Sequence, residues 1–291
     1  MTDKQWVYLN GDFVAANEAA ISPFDRGFLF AHAAYEVTAV YAGKLIDFDA
    51  HMARLARTLE GIEIAFPATD MAALHNEIMA RNNLSEGLIY IQVSAGDHGP
   101  RDFYGPEVLT PSLFMFTTAK QLIGEVARDG FGVISQEDTR WTRRDIKTTQ
   151  LLSQTLAYRA ARRAGAAAAI LHEDGVVTEA ASANAWIVTG GGTFDTRERS
   201  HALLPGITRQ STVDLLRNAG HVVEERAFTL TEMAEAAEAF TTSTGVVIAP
   251  VLTLDGKPIG TGKPGPLTRT VQRLYYAYIG ADVAAIAPWA L

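Results

Sequence analysis

Glu36-Val-Thr-Ala-Val-Tyr41-Ala-Gly43-Lys44-Leu-Ile46 joins a β-branched and aromatic run to a second extended run through a small-residue turn, the pattern of a β-hairpin. It leads into Asp49, after which Met52, Leu55, Leu59 and Ile62 recur at helical spacing. Asp49 is expected to cap that helix, because a short acidic side chain accepts from the unpaired N–H groups of a first turn. Upstream, Trp6-Val-Tyr-Leu-Asn10 meets the turn signal Gly11-Asp12. Downstream, Thr69 or Asp70 starts a second helix through Leu74, Ile78 and Met79, and residues 87–93 and 112–117 read as strands. Strands flanking two helices predict a small α+β domain over residues 1–118.

Residues 119–125 read as a linker and 126–291 as a larger domain, in keeping with roughly 150 residues per domain in a chain of 291. In that second part, residues 131–134, 168–172, 176–178, 185–189, 222–224 and 239–242 read as strands. Residues 151–164, 208–218, 231–238 and 267–278 read as helices, and Gly165 and Gly220 stand where helices end. The formal net charge of -8 and the absence of any basic run longer than two argue against a nucleic-acid partner. With no cysteine, thiol catalysis, disulfides and thiolate metal sites are excluded. The polar start, residues 1–5, lacks a signal-peptide pattern, and no apolar run approaches the ~20 residues of a membrane span. A cytoplasmic protein without a membrane partner is expected.

Of the six lysines, Lys4, Lys44, Lys120, Lys257 and Lys263 lie at a terminus, in turns or loops, or near the linker, and read as solvated charges. Lys147 instead joins Trp141-Thr-Arg-Arg-Asp-Ile146 to an apolar helix, a junction where partial desolvation favours Schiff-base chemistry. A helix-start charge is the commoner reading of a lysine so placed. Gly206-Ile-Thr-Arg209 opens a helix whose free N–H groups and Thr208 hydroxyl suit an anion, although an ordinary helix start has the same look. Thr241-Thr-Ser-Thr-Gly245 sets four hydroxyls before a glycine, as a phosphate site or simply a polar turn. Glu179 lies between two apolar runs and, if buried, needs a cation, which a protonated pyridine nitrogen or an arginine could supply. None of the seven histidines has metal-ligand spacing, so no metal is expected.

Taken in order, Asp25-Arg-Gly-Phe28, Tyr35-Glu-Val37, His51-Met-Ala-Arg54-Leu55, Asp145-Ile-Lys147, Val177-Thr-Glu179 with Ser182-Ala-Asn184, Leu204-Pro-Gly-Ile-Thr-Arg209 and Thr242-Ser-Thr244 resemble the fold-type IV pyridoxal-phosphate enzymes. The resemblance runs over roughly residues 6–274 and is greatest to the D-amino-acid aminotransferases. It implies a two-domain α+β fold whose larger domain has a β-barrel-like core, a homodimer, and pyridoxal 5'-phosphate as cofactor. Lys147 would then form the Schiff base and shuttle a proton, and Glu179 would pair with the pyridine nitrogen. Tyr35 would hydrogen-bond near the reactive centre or the phosphate. Arg54, the backbone at Ile207 and Thr208, and Thr244 or Ser243 would hold the phosphate, with Leu204 packed on the ring.

The implied reaction is ping-pong transfer of an amino group from a D-amino acid to a 2-oxo acid, 2-oxoglutarate or pyruvate. The sequence departs from the family at the substrate loop. Where an Arg-x-His pair grips the carboxylate in the D-amino-acid enzymes, this chain has Gly99-Pro-Arg101-Asp-Phe103. Arg101 can still bind a carboxylate bidentately, and Phe103 substitutes an apolar wall for a donor. Phe30 and Val37 also fit the D-amino-acid pattern. An (R)-selective amine transaminase is the alternative, followed by a branched-chain L-amino-acid aminotransferase or an aminodeoxychorismate lyase.

Overall fold

The computed structural model describes residues 5–291. Lys4 and all but the last residue of the polar stretch read for a targeting signal lie outside the described residues. The chain divides into two compact units, one formed by the described residues up to Gln121 with Ile146–Gln150, the other by Leu122–Asp145 with Leu151–Leu291. The main break falls inside the segment read as a linker. The five residues around Lys147, expected in the larger domain, instead pack with the first unit. The cause is backbone pairing: the Tyr35 N–H donates to the Lys147 carbonyl (3.1 Å) and the Thr149 N–H to the Ala33 carbonyl (3.1 Å).

In the first unit the strands are β1 (Trp6–Leu9), β2 (Asp12–Ala15), β3 (Ala33–Tyr41), β4 (Lys44–Leu45), β5 (Gly87–Ser94) and β6 (Ser112–Ala119); the helices are α1 (Arg26–Phe30), α2 (Phe48–Glu60) and α3 (Met71–Arg81). The strands form one antiparallel sheet in the order β2-β1-β6-β5-β3-β4. Period-2 alternation sorts its faces. Ile89, Ile91 and Val93 of β5 and Leu113 and Met115 of β6 are buried in one core with Leu55, Leu59, Ile78 and Met79 of α2 and α3. The intervening residues make a half-buried aromatic ladder, in which Tyr35 stacks on Tyr90 and Tyr90 on Phe116 at 5.5 and 4.8 Å between centroids. Asp70 caps α3, accepting from Ala73 N–H at 2.9 Å. Asp49 is not a cap: α2 starts two residues earlier than that would require, at Phe48 after Asp47 in the left-handed conformation, and Asp49 lies in its first turn.

The second unit contains α4 (Glu125–Asp129), β7 (Phe131–Glu137), α5 (Leu152–Arg163), β8 (Ala168–Glu173), β9 (Val176–Ala180), β10 (Asn184–Val188), β11 (Phe194–Thr196), α6 (Ile207–Asn218), β12 (Val223–Glu225), α7 (Leu230–Glu235), β13 (Glu238–Ser243), β14 (Val247–Leu254), β15 (Lys257–Pro258), α8 (Pro266–Tyr278) and α9 (Val283–Ile286). Its nine strands run β12-β11-β10-β13-β14-β7-β8-β9, with β15 beside β14. The pairs β7–β8, β7–β14 and β11–β12 are parallel. A bridge between Ala180 and Ala183 returns the end of β9 toward β10, so the sheet curls as a half-barrel. Val133, Ile170, Val177, Ile187, Phe228 and Val251 fill its core. The helix expected at 231–238 is α7, stopped at Glu235 because Glu238 opens β13; Thr229 and Glu232 form a capping box at its start. Among the described residues no helix is long and apolar enough to cross a membrane.

Candidate active site

Strand β3 sets the chemistry of the first unit by alternation. Glu36 points to the helix-covered face and is fully buried, whereas Tyr35 and Val37 lie half-buried on the other. Across from Glu36, α2 presents His51 and Arg54 three residues apart, and so on one helix face. Arg54 donates from Nε to Glu36 Oε1 (2.6 Å) and from Nη2 to Oε2 (2.9 Å), and His51 Nδ1 lies 2.8 Å from Oε2. Arg54 is therefore buried and oriented, not a surface charge. Burial alone would raise the Glu36 carboxyl, but Arg54 and His51 reverse this and hold it far below the carboxylate range.

A depressed folded-state pKa adds stability that is complete above the unfolded value and lost as pH falls toward the folded one. Glu36→Gln is accordingly expected to cost about 3 kcal/mol at pH 7, since it strips a buried arginine of its counter-charge. It should also flatten the acid limb of the stability profile below about pH 5. Urea unfolding of both proteins at a series of pH values checks each point; parallel profiles would refute the role given to this carboxylate.

Lys147 projects from the segment bonded to β3. Its Nζ lies 4.1 Å from the centre of the Tyr35 ring, and its own N–H reaches Thr58 Oγ1 of α2 at 3.4 Å. The sequence-read residues Lys147 and Tyr35 are thus brought together in the first unit. Also in the first unit, the Arg101 guanidinium packs on both Phe30 and Phe103, 5.1 and 4.7 Å from the ring centres.

In the second unit Glu179 is 4% exposed and carries three partners. Oε1 accepts from Arg140 Nη1 (2.5 Å) and the Leu204 N–H (3.1 Å), and Oε2 accepts from Asn184 Nδ2 (3.1 Å). The arginine that a buried glutamate could take is therefore Arg140. It is shared with buried Asp138, to which it donates from Nε (2.9 Å) and Nη2 (2.7 Å). Burial raises the Glu179 carboxyl, and Arg140, pulling the other way, does not cancel it. Sequence reasoning did not find Arg140 or Asp138, and it placed Asn184 in a motif without a role. Asn184 also donates to the Leu204 carbonyl at 2.9 Å, tying the loop before α6 to β10.

Helix α6 begins at Ile207, after Gly206, with no side-chain cap. A side chain at Gly206 would collide with Asn184 Oδ1, so glycine lets the helix start sit hard against β10. By contrast, Glu238 fills the start of α8, accepting from Leu267 and Thr268 N–H groups at 2.9 and 2.7 Å. The uncapped turn of α6, with Thr208 buried in it, has the donors and dipole for an anion. Ser243 ends β13 opposite Val247, and Thr244 is half-buried in the turn before β14. Thr242 is engaged, its hydroxyl accepting from Trp186 Nε1 at 3.1 Å.

Positions 33–254 match the family model for amino-transferase class IV. The chain is 35% identical to a D-alanine aminotransferase of Bacillus licheniformis over 268 residues, 91% of this chain and 94% of that one. A branched-chain amino acid aminotransferase from Escherichia coli superposes with a TM-score of 0.82 at 23% identity, covering 96% of this chain and 94% of that one. A hypothetical aminotransferase from Mycobacterium tuberculosis, solved in a PLP-bound form, superposes with a TM-score of 0.80 at 19% identity, covering 95% and 99% of the two chains.

Proposed function

The chain belongs to the class IV aminotransferases, which are pyridoxal-phosphate enzymes, and from that membership we propose that it transfers the amino group of a D-amino acid to 2-oxoglutarate or pyruvate in a ping-pong cycle, as a cytoplasmic homodimer. The observation carrying the donor class is the 35% identity to a D-alanine aminotransferase along nearly the whole of both chains. The likeness to a branched-chain enzyme, at 23% identity, speaks to the fold alone. Apolar surface for self-association is present at Ile21, Phe24, Phe28 and Tyr104, all exposed.

The residues present fit the cofactor. Glu179 is buried, and its charge is only partly offset by an arginine shared with Asp138. It therefore has use for a second cation, which a protonated ring nitrogen would be. The uncapped start of α6 has donors for a phosphate. When bound, pyridoxal phosphate supplies an electron sink for charge developing at the donor's Cα.

The chain's own residues do the rest. Lys147 would hold the cofactor through its Nζ, and once a donor amine displaces it that Nζ would be free to accept the proton from the donor's Cα and to release it again later in the cycle. Tyr35, packed against that Nζ, keeps it over β3. Glu179 would keep the ring nitrogen protonated, its carboxylate fixed by Arg140 and Asn184. Arg54, the N–H groups of Ile207 and Thr208, and the hydroxyls of Ser243 and Thr244 are the groups that would hold the phosphate, and Leu204 the one that would pack on the ring. Arg101 binds the substrate carboxylate, walled by Phe30, Phe103 and Val37.

One observation favours a second reading, an (R)-selective amine transaminase: Phe103, 71% exposed, offers an apolar ring where the family pattern has a donor. Chiral analysis of product from 2-oxoglutarate separates the readings. With D-alanine as donor, D-glutamate and pyruvate are expected. Turnover of (R)-1-phenylethylamine with none of D-alanine would select the second reading, and L-glutamate formed from L-leucine would overturn both.

A further inference from the structure

The substrate loop is held by a residue to which the sequence pattern gives no part. Arg26, the first residue of α1, is only 9% exposed although it is an arginine on a five-residue helix beside a surface loop. Its guanidinium reaches across 76 and 77 residues of chain, donating from Nη1 to the Asp102 carbonyl (2.7 Å) and from Nη2 to the Phe103 carbonyl (3.0 Å). The same group lies over the Phe30 ring, 4.8 Å from its centre.

The anchor beneath it is also fixed. The Arg26 N–H donates to the Gly96 carbonyl at 2.9 Å. Buried Asp25 caps α1 by accepting from Gly27 N–H (2.7 Å), and it accepts from the Ser94 hydroxyl (2.8 Å) at the end of β5. Arg26 thus ties the loop backbone at 102–103 to the end of β5.

Arg101 stands one residue before the two carbonyls that Arg26 grips. Its guanidinium packs on Phe30 and Phe103, whose ring centres are 5.2 Å apart. Among the described residues no carboxylate pairs with Arg101. Stacking uses the flat faces of a guanidinium and leaves its N–H edge available for a planar carboxylate. Phe30 is common to both arginines, packed against each guanidinium.

We propose that Arg26 is a positioning residue for substrate selection: by clamping the 102–103 backbone and the Phe30 ring it holds the Arg101 edge ready for a substrate carboxylate, with Phe103 acting as a stacking partner in place of the missing histidine. The proposal rests on the reading of Arg101 as the carboxylate anchor. Only a fork can span two successive carbonyls while lying on a ring, so lysine cannot replace Arg26. Gly105 shows how closely the clamp is fitted. A side chain there would come within 3.0 Å of Arg26 Nη1, and the residue has a φ of +64°.

The test compares wild type, Arg101→Ala, Arg26→Lys and Gly105→Ala, each loaded with cofactor, with D-alanine and with (R)-1-phenylethylamine, a donor that has no carboxylate. Arg26→Lys is expected to raise KM for D-alanine about tenfold with kcat within about twofold, as misplacement of a binding group does. KM for the amine should stay unchanged. Trypsin cleavage after Arg101 should quicken by a similar factor, a readout independent of turnover. Gly105→Ala, which leaves Arg26 itself intact, should give the same pattern in weaker form and serves if Arg26→Lys folds poorly. An unchanged KM for D-alanine in Arg26→Lys, or an equal rise for the amine, overturns the proposal. An Arg101→Ala protein that keeps full kcat/KM for D-alanine overturns instead the reading on which it rests.

Discussion

Lys147→Ala is expected to fold as the wild type does and to lose at least about 10⁴-fold in kcat, the upper end of what a positioned proton-transfer group contributes, because the same amine also carries the cofactor. The separation of folding from activity follows from how the residue is held. The backbone of Ile146–Gln150 does the structural work, through the hydrogen bonds to Tyr35 and Ala33 and an isolated bridge between Thr148 and Ala34. The side chain adds only its contact with the Tyr35 ring at 4.1 Å, worth about 0.5–1 kcal/mol. Circular dichroism and thermal melting should therefore match the parent while single-turnover transamination disappears. A folded Lys147→Ala enzyme retaining a few per cent of activity would remove Lys147 from the mechanism.

Glu179→Gln should have the second-largest effect, about 10²–10³ in kcat, the range seen when one fixed electrostatic partner of a reacting group is removed. The amide keeps the volume and can still accept from the Leu204 N–H, but it carries no charge with which to hold a ring nitrogen protonated. It also sets a neutral group against Arg140, which keeps its two bonds to Asp138. The stability loss is accordingly modest, about 2 kcal/mol or roughly 4–8 °C in Tm. Measured at 25 °C, where both proteins are folded, the rate loss belongs to chemistry alone. Wild-type kcat in Glu179→Gln would assign this carboxylate a purely structural place in the Arg140 and Asp138 network.

What the sequence disclosed followed the range of the interaction responsible. Strands such as β5 and β6 were legible because burial on one face imposes period-2 alternation, and Asp70 because a cap acts within three residues. Strand β14 was not read; it contains Pro250, which counts against a strand, yet it pairs with β13 along Phe240 and Ala239. Strand β11 has only three residues and α4 five, too short for a period to be seen. The motif residues Lys147, Arg54, Glu179 and Thr208 stood out in order along the chain. Their partners did not. Glu36 meets Arg54, 18 residues away, Arg140 meets Glu179, 39 away, and Arg26 meets Asp102, 76 away, and 33 acidic and 25 basic side chains leave such pairings open until strands and loops are in register. The buried glutamate announced that it needed a cation, but only the fold says which arginine supplies one.

The most direct test of the central claim is a half-reaction on cofactor-loaded protein without acceptor, following loss of the yellow absorbance as D-alanine, L-leucine or (R)-1-phenylethylamine is added separately. Bleaching fastest with D-alanine, and its reversal by pyruvate, is the predicted result. Bleaching by L-leucine alone would contradict the account, placing this chain among the L-amino-acid enzymes in spite of its resemblance to the D-alanine aminotransferases.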